Sequence, residues 1–133
     1  MNRSYKGSCH CGAVRFECEI DLAQGTSKCN CSICLKSRFW KAVIKAEAFR
    51  LLEGEDALAD YQFGGHNIHH HFCTRCGVKP FGRGHVAELG RFYAINVACL
   101  DDIAARELAD APVRYEDGRH DKWDAAPEET RHL

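Results

Sequence analysis

Hydrophobic and polar positions alternate most cleanly between Ala13 and Ile20. Val14, Phe16, Cys18 and Ile20 fall on one face, and Ala13, Arg15, Glu17 and Glu19 on the other. A period of two predicts a half-buried strand. Phe39–Ile44 is aromatic and β-branched and predicts a second strand. A short strand is expected over Asp60–Phe63, stopped by Gly64-Gly65, and another over Ile68–Phe72, leading into Cys73. Arg91–Leu100, carrying Phe92, Tyr93, Ile95 and Val97, reads as a central strand. Val113–Glu116 reads as a last one before the Asp117-Gly118 turn. The only helical pattern covers Asp101–Ala109, barely two turns, with Asp101 or Asp102 as N-cap. The expectation is a mostly β fold of short antiparallel strands, a sandwich or folded-over sheet with at most one or two short helices. Repeats and linkers are absent and the three prolines do not cluster, so residues 1–124 are expected to form one domain. Residues 125–133 are expected to form a loosely ordered tail.

Composition changes this picture in one respect. A chain of 133 residues with a formal charge of −1 is an ordinary globular domain, and nothing in it suggests a nucleic-acid partner or a membrane surface. No apolar run approaches the roughly 18 residues of a membrane helix. The nine cysteines are the anomaly. A disulfide scaffold is disfavoured, because the count is odd and the segment from Met1 to Gly7 carries no apolar signal; a cytoplasmic location is expected. Small buried hydrophobes would account for Cys18 and Cys99, which sit in apolar strands, but not for clusters at fixed spacing.

Three such clusters exist: Cys9-His10-Cys11, Cys29-Asn30-Cys31-Ser32-Ile33-Cys34, and Cys73-Thr74-Arg75-Cys76-Gly77. The last is a zinc knuckle, in which Gly77 supplies the turn that lets two thiolates grip one ion. Cys9 and Cys11, if on an extended strand, face the same way and complete a four-thiolate site with Cys73 and Cys76. That site joins segments far apart in the chain and would staple the fold. Cys29, Cys31 and Cys34 supply three ligands and leave one position open, the usual mark of a catalytic or exchangeable zinc. A soft ligand such as a substrate thiol suits that position, and zinc would hold it as a nucleophilic thiolate. A closed alternative takes its fourth ligand from His66, His69, His70 or His71, and other pairings of the three clusters remain open. In a strand His69 and His71 share a face and His70 opposes them, so the run is either polar surface or pocket lining. Lys36, Arg38 and Arg75 flank the cysteine loops, to bind a substrate carboxylate or to offset thiolate charge.

Gly7-Ser8-Cys9-His10-Cys11-Gly12-Ala13-Val14, the CxCxxC run Cys29–Cys34, and Phe72-Cys73-Thr74-Arg75-Cys76-Gly77 together resemble the glutathione-dependent formaldehyde-activating enzyme family, which includes centromere-protein-V-like domains. Arg91–Val97 is similar to the family's late strand. The resemblance spans residues 4 to 100. It implies a zinc-stapled β-tent with two Zn²⁺ per chain, a structural one on Cys9, Cys11, Cys73 and Cys76 and a catalytic or exchangeable one on Cys29, Cys31 and Cys34. It also implies a carbon–sulfur lyase-type activity joining glutathione to formaldehyde as S-(hydroxymethyl)glutathione. The alternative is a non-catalytic zinc-binding module or thiol carrier.

Overall fold

The computed structural model describes residues 1–133. Ten strands form in chain order: β1 (Arg3–Ser8), β2 (Arg15–Ile20), β3 (Thr26–Cys29), β4 (Trp40–Lys45), β5 (Phe49–Glu53), β6 (Leu58–Tyr61), β7 (Ile68–Cys73), β8 (Phe81–Val86), β9 (Gly90–Asn96) and β10 (Val113–Glu116). Two short α-helices, α1 (Ser32–Ser37) and α2 (Ala105–Asp110), interrupt them. The fold is thus mostly β with two short helices, as the pattern suggests. Neither helix is long and apolar enough to cross a membrane.

The strands make two sheets, a three-stranded one in the order β1-β2-β5 and a seven-stranded one in the order β10-β3-β4-β9-β8-β7-β6. All pairs are antiparallel except β10 with β3. The alternation along β2 turns Phe16, Cys18 and Ile20 into the space between the sheets, where they are buried. The large sheet answers with Ala42, Ile95 and Phe81, which stand in one register row across β4, β9 and β8. Phe16, Phe49, Phe81 and Tyr93 close this core with ring centroids 3.9–5.8 Å apart. The adjacent register row points the other way and holds Val43, Ala94, Gly82, His70 and Tyr61. This outer row bears on the functional site.

Several elements differ from the sequence pattern. The strand expected over Arg91–Leu100 ends at Asn96, because the Asn96 side chain accepts the Ala98 N–H at 3.2 Å and starts a 3₁₀ turn over Val97–Cys99. The helix expected from Asp101 begins at Ala105 without a side-chain cap. Both aspartates are committed elsewhere: Asp102 accepts the Lys6 backbone N–H at 2.9 Å, and Asp101 accepts the Ser8 hydroxyl at 2.7 Å. They dock β1 instead of capping α2. At the chain end, the Asp117 N–H donates to the Ala125 carbonyl, and the Arg38 guanidinium donates to the His132 carbonyl.

Candidate metal centres

The four-cysteine cluster forms where β1 and β7 end. Cys9 and Cys11 do not lie on a strand, as their spacing suggested. The chain leaves β1 at Ser8 and folds into a turn, in which the Gly12 N–H donates to the Cys9 carbonyl and the Cys9 N–H to the Val14 carbonyl. On the other side the Gly77 N–H closes on the Cys73 carbonyl at 2.8 Å, with Gly77 at φ +79°, the left-handed conformation glycine adopts freely. Two turns, not a strand and a turn, aim the thiols inward.

The Sγ atoms of Cys9, Cys11, Cys73 and Cys76 all lie within 4.8 Å of one another, and the Cys9–Cys11 and Cys11–Cys73 separations are both 3.7 Å. A tetrahedral zinc with Zn–S bonds of 2.3 Å needs sulfurs about 3.8 Å apart, so the cluster fits such an ion. The Val14 and Arg75 N–H groups donate to Cys9 Sγ and Cys73 Sγ at 3.3 and 3.4 Å. The N–H groups of Cys11 and Val78 hold the Cys76 thiol down to about 6. Backbone donors stabilising thiolates are the expected surroundings of metal-bound sulfur.

The three-cysteine cluster forms at the junction of β3 and α1. Cys29 ends the strand, Cys31 is the N-cap of the helix, and Cys34 lies one turn in. Their Sγ atoms also lie within 4.8 Å of one another, and the Cys31 N–H donates to Cys29 Sγ at 3.3 Å. Hydrogen bonding to Cys29 and Cys34 pulls the Cys31 thiol far down, while hydrogen bonding to Cys29 and Cys31 pushes Cys34 up. Three sulfurs at this separation cannot all ionise without a cation among them, and a metal ion would supply it. Each cluster can therefore hold a metal ion.

No histidine belongs to either cluster. His69 Nδ1 is 2.7 Å from Asp60 Oδ2, and His71 Nδ1 is 3.2 Å from the Ala59 carbonyl, while its Nε2 accepts from Arg83. The rings of His69 and His71 stack on one face, and His70 points to the other. His66 is exposed beside the Gly64-Gly65 turn, at φ +58°. Lys36, in the last turn of α1, Arg38, at its C-cap, and Arg75, in the knuckle, are all exposed. Cys18 and Cys99 are core residues: burial, the largest cause, pushes both thiols up to about 12, so they are inert.

Three neighbours of the second cluster carried no sequence signal. Asn30, set between two ligands, donates to Asp117 Oδ1 at 2.8 Å and accepts the Arg119 N–H at 2.9 Å, tying the cysteine loop to the turn after β10. Gly118, in that turn, lies against the cluster, and a Cβ there would come within 2.5 Å of Cys29 Sγ and 2.6 Å of the Trp123 ring. Lys79 lies on the outer face of the sheet, against the ring of Phe39, whose backbone N–H donates to the Cys34 carbonyl at 3.0 Å. Replacing Gly118 by Ala is expected to displace Cys29 and weaken metal binding at the second centre by ~10–100-fold. The first centre should be unchanged, and a competitive chelator titration with two resolved sites checks both.

The family described as glutathione-dependent formaldehyde-activating enzyme matches residues 4–116, a span that holds all seven clustered cysteines. The chain belongs to that family. A Rhodobacter sphaeroides protein of known crystal structure is similar to it with a TM-score of 0.70 and 32% identity, over 82% of this chain and 99% of that one. In this member of the glutathione-dependent formaldehyde-activating family, Gly118 and Trp123 lie outside the matched span, although a Cβ at Gly118 would run into Cys29 Sγ.

Proposed function

We propose that the Cys29, Cys31 and Cys34 centre, loaded with zinc, joins a thiol such as glutathione to a small aldehyde such as formaldehyde, a carbon–sulfur lyase-type reaction run in the synthetic direction. In the same reading Cys9, Cys11, Cys73 and Cys76 hold a second, structural zinc. The observation that carries this is the difference between the clusters. One presents four sulfurs within 4.8 Å, a complete tetrahedral set; the other presents three and has no histidine or carboxylate in its group. Family membership supports the choice of thiol and aldehyde.

A zinc ion at the three-sulfur centre supplies Lewis acidity that favours the thiolate form of a bound thiol. The chain's part is to hold the sulfurs in place. Cys29 is fixed at the end of a paired strand, Cys34 on the helix, and Asn30 locks the loop between them. In the reaction the thiol gives up its proton, a carbon–sulfur bond forms, the carbonyl π bond opens, and the oxygen takes up a proton, so atoms and charge balance. Thiol clusters of this kind survive in a reducing compartment, which favours the cytoplasm.

Exchange NMR of formaldehyde and glutathione with their adduct tests the reading. Zinc-loaded protein is expected to accelerate the interconversion, and metal-stripped protein to leave it at the uncatalysed rate. Thiol binding without acceleration would instead assign the centre to a thiol carrier.

A further inference from the structure

Two lysines flank the second centre: Lys79 stands over the ring of Phe39, whose backbone N–H donates to the Cys34 carbonyl at 3.0 Å, and Lys41 is bound to Glu116, the register partner of Cys29. Lys41 is already matched, its ammonium 2.6 Å from Glu116 Oε1. Lys79 is half-buried and makes no ion pair with a carboxylate. Its position is built with care all the same. Its stem crosses the outer face of the sheet at Gly82, where a Cβ would lie 3.9 Å from Lys79 Cε. Its carbonyl accepts the Asn96 side-chain amide at 3.0 Å. Its ammonium donates to His70 Nδ1 at 2.7 Å and sits 4.1 Å from the centre of the Phe39 ring.

The partner is an acceptor without charge. Burial, and then the Lys79 charge itself, lowers His70 to about 4, so the imidazole is neutral at physiological pH. Phe63 stacks on that imidazole at 5.4 Å and holds it. Burial lowers Lys79 to about 8, still above neutral pH, so the ammonium persists. A half-buried ammonium that has a neutral imidazole and a ring face but no carboxylate partner keeps its capacity to take an anion. A cluster of thiolates repels a ligand bearing a carboxylate, and an ammonium fixed beside them reverses the sign of that interaction.

We propose that Lys79 sets substrate choice at this centre: its ammonium takes the carboxylate of an acidic thiol whose sulfur enters the open side of Cys29, Cys31 and Cys34. The inference rests on the thiol-accepting reading of that centre. It adds the residue and the chemical feature by which the thiol is selected. His70 and Phe39 act through Lys79 as positioning residues.

The test uses the full chain loaded with Co²⁺ at both centres, with thiol binding followed in the visible absorption of the cobalt. Mercaptoacetate and 2-mercaptoethanol are compared, because they differ only by a carboxylate in place of a hydroxymethyl group. The wild-type protein is expected to bind mercaptoacetate tighter by about tenfold or more, the size of a charge-assisted hydrogen bond. Lys79→Met should lose this preference and bind mercaptoacetate no tighter than 2-mercaptoethanol, with its affinity for 2-mercaptoethanol little changed. Lys79→Gln, which can still reach His70, is the second neutral variant and should behave the same way. Near-UV circular dichroism verifies that each variant is folded. Equal affinities in the wild type, or a preference that survives in a folded neutral variant, would overturn the role of Lys79 while leaving thiol binding intact. A cobalt spectrum that neither thiol perturbs would remove the thiol-accepting reading and this proposal with it.

Discussion

Cys73→Ser is expected to abolish the folded state at neutral pH. Cys73 is fully buried and ends β7, and its Sγ lies 3.7 Å from Cys11, more than 60 residues away in the chain. The residue removed is one of four that fit a tetrahedral ion, and serine offers no thiolate to replace it. Apparent zinc binding at small structural sites amounts to ~10–16 kcal/mol at neutral pH. The whole stability of a typical domain is about 5–15 kcal/mol. Losing most of the first quantity therefore exhausts the second. Far-UV circular dichroism and metal analysis of the variant check this: the expected result is loss of the cooperative thermal transition together with loss of bound zinc. A Cys73→Ser protein that unfolds at the wild-type temperature would show that this cluster does not staple the fold.

Cys31→Ser is expected to do nearly the opposite, keeping the fold and losing the second metal. Cys31 is the N-cap of α1 and makes no capping hydrogen bond, and serine is among the preferred caps, so the helix is not weakened. The hydrophobic core between the two sheets does not include Cys31. What remains at the centre is Cys29 and Cys34, two ligands where three stood, too few for a stable site. The variant should bind one zinc, melt within a few degrees of the wild type, and return the formaldehyde–glutathione exchange to its uncatalysed rate. Paired with Cys73→Ser, this separates the proposed structural centre from the proposed reactive one. If Cys31→Ser keeps full metal content and full exchange rate, the reaction belongs elsewhere in the molecule.

Both variants rest on a partition of seven cysteines that was largely legible before any coordinates. Spacing alone marks Cys73 and Cys76 as a knuckle, because two thiolates three apart with a glycine after them serve one purpose far more often than any other. The alternation from Ala13 to Ile20 was equally legible, because β2 buries one face against the large sheet and the pattern records that directly. The strands the pattern missed tell the reverse story. β1 is mostly polar and β3 is only four residues long; each is held by its neighbours' ladder more than by its own hydrophobicity. β8 carries Gly82 and Gly84, residues with no side chain to mark a strand face, and one of them lies under the stem of Lys79. The six residues of α1 carry no helical apolar stripe, since the helix displays Cys34 rather than burying a face.

The chain by itself therefore determined three cysteine clusters suited to metal, a β-rich frame to carry them, and the family to which they belong, and left the pairing of the clusters open. These follow from residue identity and short spacing, which survive in one dimension. Tertiary structure decided the rest. It showed that Cys9 and Cys11 converge through a turn, that none of the four candidate histidines joins a cluster, and that Gly118 abuts Cys29. It brought Lys79, His70 and Phe39 together beside the second centre. Each of these depends on which strands pair and in what register. Pairing is chosen by burial and hydrogen bonding summed over the whole sheet, a quantity that no local stretch of sequence contains.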